Sequence, residues 1–124
     1  MFSPDRSTMC ISAAGHLPPM LASGGQVEPV TIPVDLPLGT GSDASRRTTE
    51  VPVPEGATLV FYTDGLIERR GEPITEGLER LRAAIEPASA ENLCSTLMMK
   101  VAERQPMDDV ALLTVRRKDD ASRT

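Results

Sequence analysis

The first half of the chain alternates short β-branched or aliphatic runs with proline- and glycine-bearing breaks, a texture of strands and turns. Residues 7–12 read as a strand entered through a turn at Ser3-Pro4-Asp5. Gly15-His16-Leu17-Pro18-Pro19 reads as a loop, because consecutive prolines lack amide donors and hold the preceding residue extended. Residues 19–22 and 26–32 flank Ser23-Gly24-Gly25, a hairpin signal. A polar, glycine-bearing loop is expected over 35–44, then a strand over 47–53 leading into the turn Pro54-Glu55-Gly56. Residues 57–63 carry bulky groups on both alternating faces, which predicts a central strand buried on both sides.

Beyond residue 63 the period changes from two to that of a helix. Leu78, Leu81 and Ile85 share one face of a helix expected over 75–85, with Thr75 as its N-cap and Pro87 past its end. Residues 89–103 read as a second amphipathic helix capped by Ser89, with Glu91 suited to the dipole at its start. Its stripe is Leu93, Leu97 and Val101, widened by Cys94 and Met98. A strand over 110–116 closes the domain, and a charged tail follows over 117–124. Strands grouped before two consecutive helices point to an α+β fold with antiparallel pairing rather than a doubly wound parallel sheet.

Composition narrows the function. At 124 residues the chain is one domain's worth at most. Thirteen basic against 18 acidic side chains give a net charge of −5, which argues against a nucleic-acid surface. Phe2, Phe61 and Tyr62 are the only aromatics, too few for a base-stacking platform. No apolar run is long enough for a signal peptide or a membrane span, and the expected partners include neither nucleic acid nor membrane. Cys10 and Cys94 stand alone without metal-ligand spacing, so a reducing, cytoplasmic home is expected.

Candidate chemistry lies where apolar strands meet polar loops. Asp64 follows the strand over 57–63 and precedes Gly65, while Asp108 and Asp109 precede the last strand. A carboxylate beside a buried core needs a hydrogen-bond partner, a cation or a proton. If the two strands are neighbours, Asp64 and Asp108 can share one hard cation such as Mg2+ or Mn2+. The bland alternative is turn chemistry, with Asp capping backbone amides and Gly supplying a positive φ.

Four segments, read together, suggest a family. They are Ala14-Gly15-His16-Leu17-Pro18-Pro19-Met20, Leu36-Pro37-Leu38-Gly39, residues 59–70 containing Thr63-Asp64-Gly65, and Asp108-Asp109-Val110-Ala111-Leu112-Leu113. In this order the chain resembles, from about residue 7 to 116, the carboxy-terminal part of a bacterial PPM-type (protein phosphatase 2C-like) serine phosphatase of the stage II sporulation protein E family. The resemblance implies a partial αββα sandwich of antiparallel sheets. It also implies Mn2+- or Mg2+-dependent removal of phosphate from phosphoserine on a regulatory partner such as an anti-anti-sigma factor. On the matching positions, Asp64 and Asp108 would be metal ligands, with Asp109, Gly65, Gly15 and His16 in support. No catalytic side chain independent of the metal ligands is implied.

The family's amino-terminal GGDxxD-type element, whose aspartates bridge two metals, has no counterpart here, and Asp5, Asp35 and Asp43 do not replace it. The resemblance therefore implies a chain that begins in mid-domain, with residues 1–116 holding at most a partial metal site. Three roles remain open: part of a phosphatase, a non-catalytic remnant that binds a phosphoprotein or regulates an intact enzyme, and a small α+β binding module. A haloacid-dehalogenase-like reading of Asp64 is weaker, since the second acid it needs would fall at Leu66. Glu68-Arg69-Arg70 reads as a solvated loop, with a role at a phosphoryl group only if the arginines fold back toward Asp64.

Overall fold

The computed structural model describes residues 1–11, 13–14, 17–30, 34–35, 49–102 and 109–118. Gly15, His16, Asp108, most of the loop expected over 35–44 and the tail beyond Lys118 lie outside the described residues. The elements in order are β1 (Thr8–Ile11), β2 (Ala13–Ala14), β3 (Met20–Ser23), β4 (Gln26–Pro29), β5 (Val34–Asp35), β6 (Thr49–Pro52) and β7 (Thr58–Tyr62). Then come α1 (Asp64–Ile67), α2 (Ile74–Ala84), α3 (Ala90–Lys100) and β8 (Leu112–Arg116).

β7 sits inside a four-stranded antiparallel sheet of order β4-β3-β7-β8. Its alternation divides the molecule. Val60 and Tyr62 face α2 and α3 in a cluster with Met20, Leu66, Ile67, Leu81, Ile85, Leu93, Leu97 and Val101. Ala57 and Leu59 face the other way, against Met9, Val51 and Val53 beneath the two-stranded β1–β6 ladder. The central strand is thus buried on both faces, as its pattern predicts. Register sets Met9 opposite Val51 on the inner face of the small sheet and Cys10 opposite Glu50 on its outer face. Three layers result: helices, four strands, two strands. They form part of an αββα sandwich, and among the described residues no helix covers the outer face of β1–β6. One pairing departs from the antiparallel expectation, since β2 runs parallel to β5 through Ala13–Val34 and Ala14–Asp35.

The β3–β4 hairpin turns on Gly24 (φ 60°) and Gly25 (φ 82°), two left-handed positions that suit a tight primed turn. Helix α3 begins where expected: the Ser89 hydroxyl accepts the Asn92 amide at 3.1 Å. The start of α2 corrects the sequence reading. Pro73, not Thr75, is the N-cap, and no side chain caps the helix; proline's fixed φ suits the entry and leaves Thr75 in the first turn. Ahead of it, Glu72 pairs with Arg80, which holds the Glu72 carboxyl below the usual range. The Glu68-Arg69-Arg70 segment is likewise not a wholly solvated loop. Arg69 is half-buried and its Nη2 donates to the Val101 carbonyl at 3.1 Å, serving the carboxy-terminal end of α3.

Gly77 is needed for a close approach. A Cβ there would stand 2.1 Å from the Ile67 carbonyl oxygen, so only glycine lets α2 lie against the end of α1. Gly77→Ala gains the better helix former's ~1 kcal/mol but must push the α1 backbone aside. The expected net outcome is a loss of about 1–3 kcal/mol, read as a lower urea midpoint at unchanged slope.

Candidate functional site

The site is built on the carboxy-terminal end of β7. Beyond Tyr62 the chain stays extended at Thr63 (φ −98°, ψ 161°) before turning into α1. Thr63 does not cap α1 with its side chain. Its hydroxyl instead crosses to the entrance of β8, accepting from the Ala111 amide at 2.8 Å and donating to the Asp109 carbonyl at 3.2 Å. The Thr63 amide also donates to the Ala111 carbonyl at 3.1 Å. One threonine therefore fastens residues 109–111 to the root of Asp64, extending the β7–β8 pairing beyond both strands.

A third segment arrives from the other side of β7. The β3–β7 register sets Met20 opposite Val60 and so carries Pro18 alongside Tyr62. The Tyr62 hydroxyl donates to the Pro18 carbonyl at 2.7 Å, while the Pro19 carbonyl accepts the Val30 amide at 2.8 Å. Burial pushes the Tyr62 phenol from its ordinary value near 10 up to about 12, with the negative charge of Asp64 adding to the effect.

The structure thus gathers Pro18, Asp64, Gly65 and Asp109 at one end of the adjacent strands β3, β7 and β8. Gly65 is buried as the second residue of α1. Asp64 and Asp109 are exposed, which corrects the expectation of a poorly solvated Asp64. Asp64 is the exposed first residue of α1, whose other three residues, Gly65, Leu66 and Ile67, are buried, so the carboxylate lies on the solvent side of that turn. Hard oxygen donors of this kind suit Mg2+ or Mn2+ better than softer metals. Among the described residues, however, no group of three or more His, Cys, Asp or Glu side chains gathers, so these residues alone fit a cation only in part. Asp5 is a turn residue, as its context suggests: its carboxylate accepts from the Ser3 hydroxyl, the Ser7 hydroxyl and the Ser7 amide, which lower it to about 2.

Tyr62 and Thr63 were read from sequence only as strand residues, yet they are the fasteners of the site. The available signal was a lone tyrosine and a hydroxyl residue next to Asp64, at the point where strand gives way to polar chain.

The fold is that of PP2C-type protein phosphatase domains. The chain superposes on the RsbU and RsbW domains of Rv1364c from Mycobacterium tuberculosis with a TM-score of 0.74 and 30% identity, over 90% of this chain and 34% of that one. It matches the PP2C phosphatase domain and regulatory fragment of SpoIIE from Bacillus subtilis at TM-score 0.73 and 20% identity, over 92% of this chain and 35% of that one. A Mn-presoaked SpoIIE phosphatase domain from the same organism aligns at TM-score 0.63 and 20% identity, over 95% of this chain and 59% of that one. The chain belongs to the stage II sporulation protein E (SpoIIE) family, whose profile matches residues 1–118. It spans about a third of the length of the first two structures. Among the described residues no helix is long and apolar enough to cross a membrane.

The raised phenol gives a pH test. The folded state holds the Tyr62 proton more tightly than the unfolded chain does, so this contribution is complete below pH about 10 and is lost as pH rises toward about 12. Parent protein should lose stability across that alkaline window in denaturant titrations. Tyr62→Phe should lower stability by about 1 kcal/mol at neutral pH and flatten the alkaline limb.

Proposed function

We propose that this chain forms part of a divalent-metal-dependent phosphatase that removes phosphate from phosphoserine on a regulatory partner protein of the anti-anti-sigma-factor type. Asp64 and Asp108 are its metal ligands, with Asp109, Gly65, Gly15 and His16 in support, and Mn2+ or Mg2+ is the ion. The observation that carries this reading is the Thr63 hydroxyl, which ties the backbone at Asp109 and Ala111 to the residue preceding Asp64. Asp108 directly precedes Asp109 in the chain.

The physical logic is charge. A phosphate monoester is dianionic, and an edge carrying exposed carboxylates repels it. A hard divalent cation reverses the sign of that edge, and such an ion supplies charge neutralisation and a more acidic bound water. Gly65 keeps the backbone beside Asp64 free of a side chain, and Thr63 limits how far the β8 entrance can move from it. Two aspartates fill only part of an octahedral shell, so the chain by itself is expected to bind the ion weakly and to hydrolyse phosphoserine slowly. The whole domain's activity therefore requires donors beyond these.

A second reading is a non-catalytic module that binds a phosphoprotein or regulates an intact phosphatase. Calorimetric titration of the full chain with Mn2+ separates the two. Saturable binding that Asp64→Asn or Asp108→Asn abolishes supports the metal site. Thr63→Val, which leaves both carboxylates in place, should weaken that binding by about tenfold through lost positioning alone. A parent chain that takes up no Mn2+ favours the non-catalytic reading.

A further inference from the structure

At the end of β7 away from Asp64, the cross-strand register sets three side chains side by side on the helical face: Ala22 of β3, Thr58 of β7 and Arg116 of β8. With the β3–β4 turn, Gly56 and the link from α2 to α3, they line a cleft of about 480 Å3, within the size range of small-ligand sites. Thr58 is only 7% exposed, and among the described residues its hydroxyl has no hydrogen-bond partner. A polar group that is otherwise buried is thus left facing the cleft. Arg116 is exposed beside it and forms no ion pair with the described residues. Its neighbour Arg117, by contrast, is bonded to the Val53 carbonyl and lies near Glu55. A third donor comes from α3. Two residues back on the same face of β8, the Thr114 hydroxyl bonds the Ala90 carbonyl at 2.6 Å, which brings the amino end of α3 to the cleft. Ser89 there accepts the Asn92 amide and keeps its own hydroxyl proton for a ligand. The other charged lining residue, Glu86, is held by Lys100 at 3.6 Å. Glu91 offsets part of the α3 dipole, so recognition rests on the side chains rather than on the helix end.

We propose that this cleft binds a small phosphate monoester, with the phosphoryl group held by Arg116, Thr58 and Ser89. Donors from β8, β7 and α3 suit the three terminal oxygens of a phosphoryl group better than the two of a carboxylate. The guanidinium fork matches such oxygens in pairs. The cleft is larger than a bare phosphate ion needs. Its remaining wall includes Val27 and the buried Ile85, which take the carbon-bearing part of the ester. At the rim, Gly24 and Gly56 have open space where side chains would stand, so the mouth is clear. The role is binding and not hydrolysis, because the lining carboxylate of Glu86 is already paired. At about 3.3 Å per strand residue the cleft lies roughly 15–20 Å from Asp64, so it is separate from the proposed metal site.

Heteronuclear NMR titration of the full chain, at constant ionic strength and with EDTA present to remove divalent ions, tests this with phenyl phosphate, inorganic phosphate and benzoate as probes. Phenyl phosphate should give saturable shifts at the amides of Gly24, Gly25, Gly56, Thr58 and Ser89, with Asp64 and Ala111 unmoved. It should bind more tightly than either of the other two probes. Arg116→Gln, at an exposed position, should weaken that binding by about tenfold or more, and Thr58→Val, which keeps the side-chain shape, by about fivefold. Both variants should retain the parent circular dichroism. The absence of saturable shifts overturns the proposal, as does binding that Arg116→Gln or Thr58→Val leaves unchanged. Benzoate or inorganic phosphate binding as tightly as phenyl phosphate overturns the assignment to a phosphate monoester. Because EDTA excludes the metal, failure here is separable from failure of the proposed function, which Mn2+ titration reads.

Discussion

Strand β7 is the wall on which both apolar clusters lean. Its even positions Val60 and Tyr62 close the helical side, while Leu59, with Ala57 just before the strand, closes the side under the two-stranded sheet. A strand buried on both faces cannot slip register, because a one-residue shift would exchange the two sets of side chains at once. That rigidity is passed to whatever leaves its end. Tyr62 and Thr63 are the last two residues before the chain turns outward, and each spends its hydroxyl on a different neighbouring segment. The position of Asp64 is thus determined by core packing, although its own carboxylate is in water.

Much of this was legible in the sequence because it rests on local periodicity. The doubly apolar pattern of residues 57–63, the Gly24-Gly25 turn, the Ser89 cap and the Leu93–Leu97–Val101 stripe each express a rule that acts within a few residues, and each appears in the structure. What escaped was set by distant contacts. Nothing local marks Arg69 as the donor to Val101, Gly77 as the seat for the Ile67 carbonyl, or Thr63 as the clasp for residue 111. The parallel β2–β5 pair and the Pro73 start of α2 belong to the same class, since a strand's partner and a helix's first turn are settled by what packs around them. For the candidate site, the strand-end position of Asp64 was readable, but its solvent exposure was not. Exposure depends on the chain turning at Asp64 into the four-residue helix α1, which buries Gly65, Leu66 and Ile67 and leaves Asp64 outside, whereas Thr63-Asp64-Gly65 reads equally well as a turn.

The charged groups around the site constrain what any anionic substrate would meet. Arg69 and Arg70 follow Asp64 closely in sequence and would be natural partners for a phosphoryl group. Arg69 is already engaged with the end of α3, where its guanidinium satisfies a helix carbonyl and helps hold α3 near α1. Moving it toward a substrate would cost that contact and leave a helix-end carbonyl without this donor. Of the two arginines, Arg70 remains exposed. The exposed carboxylates of Asp64 and Asp109 thus stand beside a chain segment whose first arginine is already committed to the core side of the molecule. The fold's own contribution is to keep Asp64 and the entrance of β8 on the same short span of sheet, through the Thr63 hydroxyl.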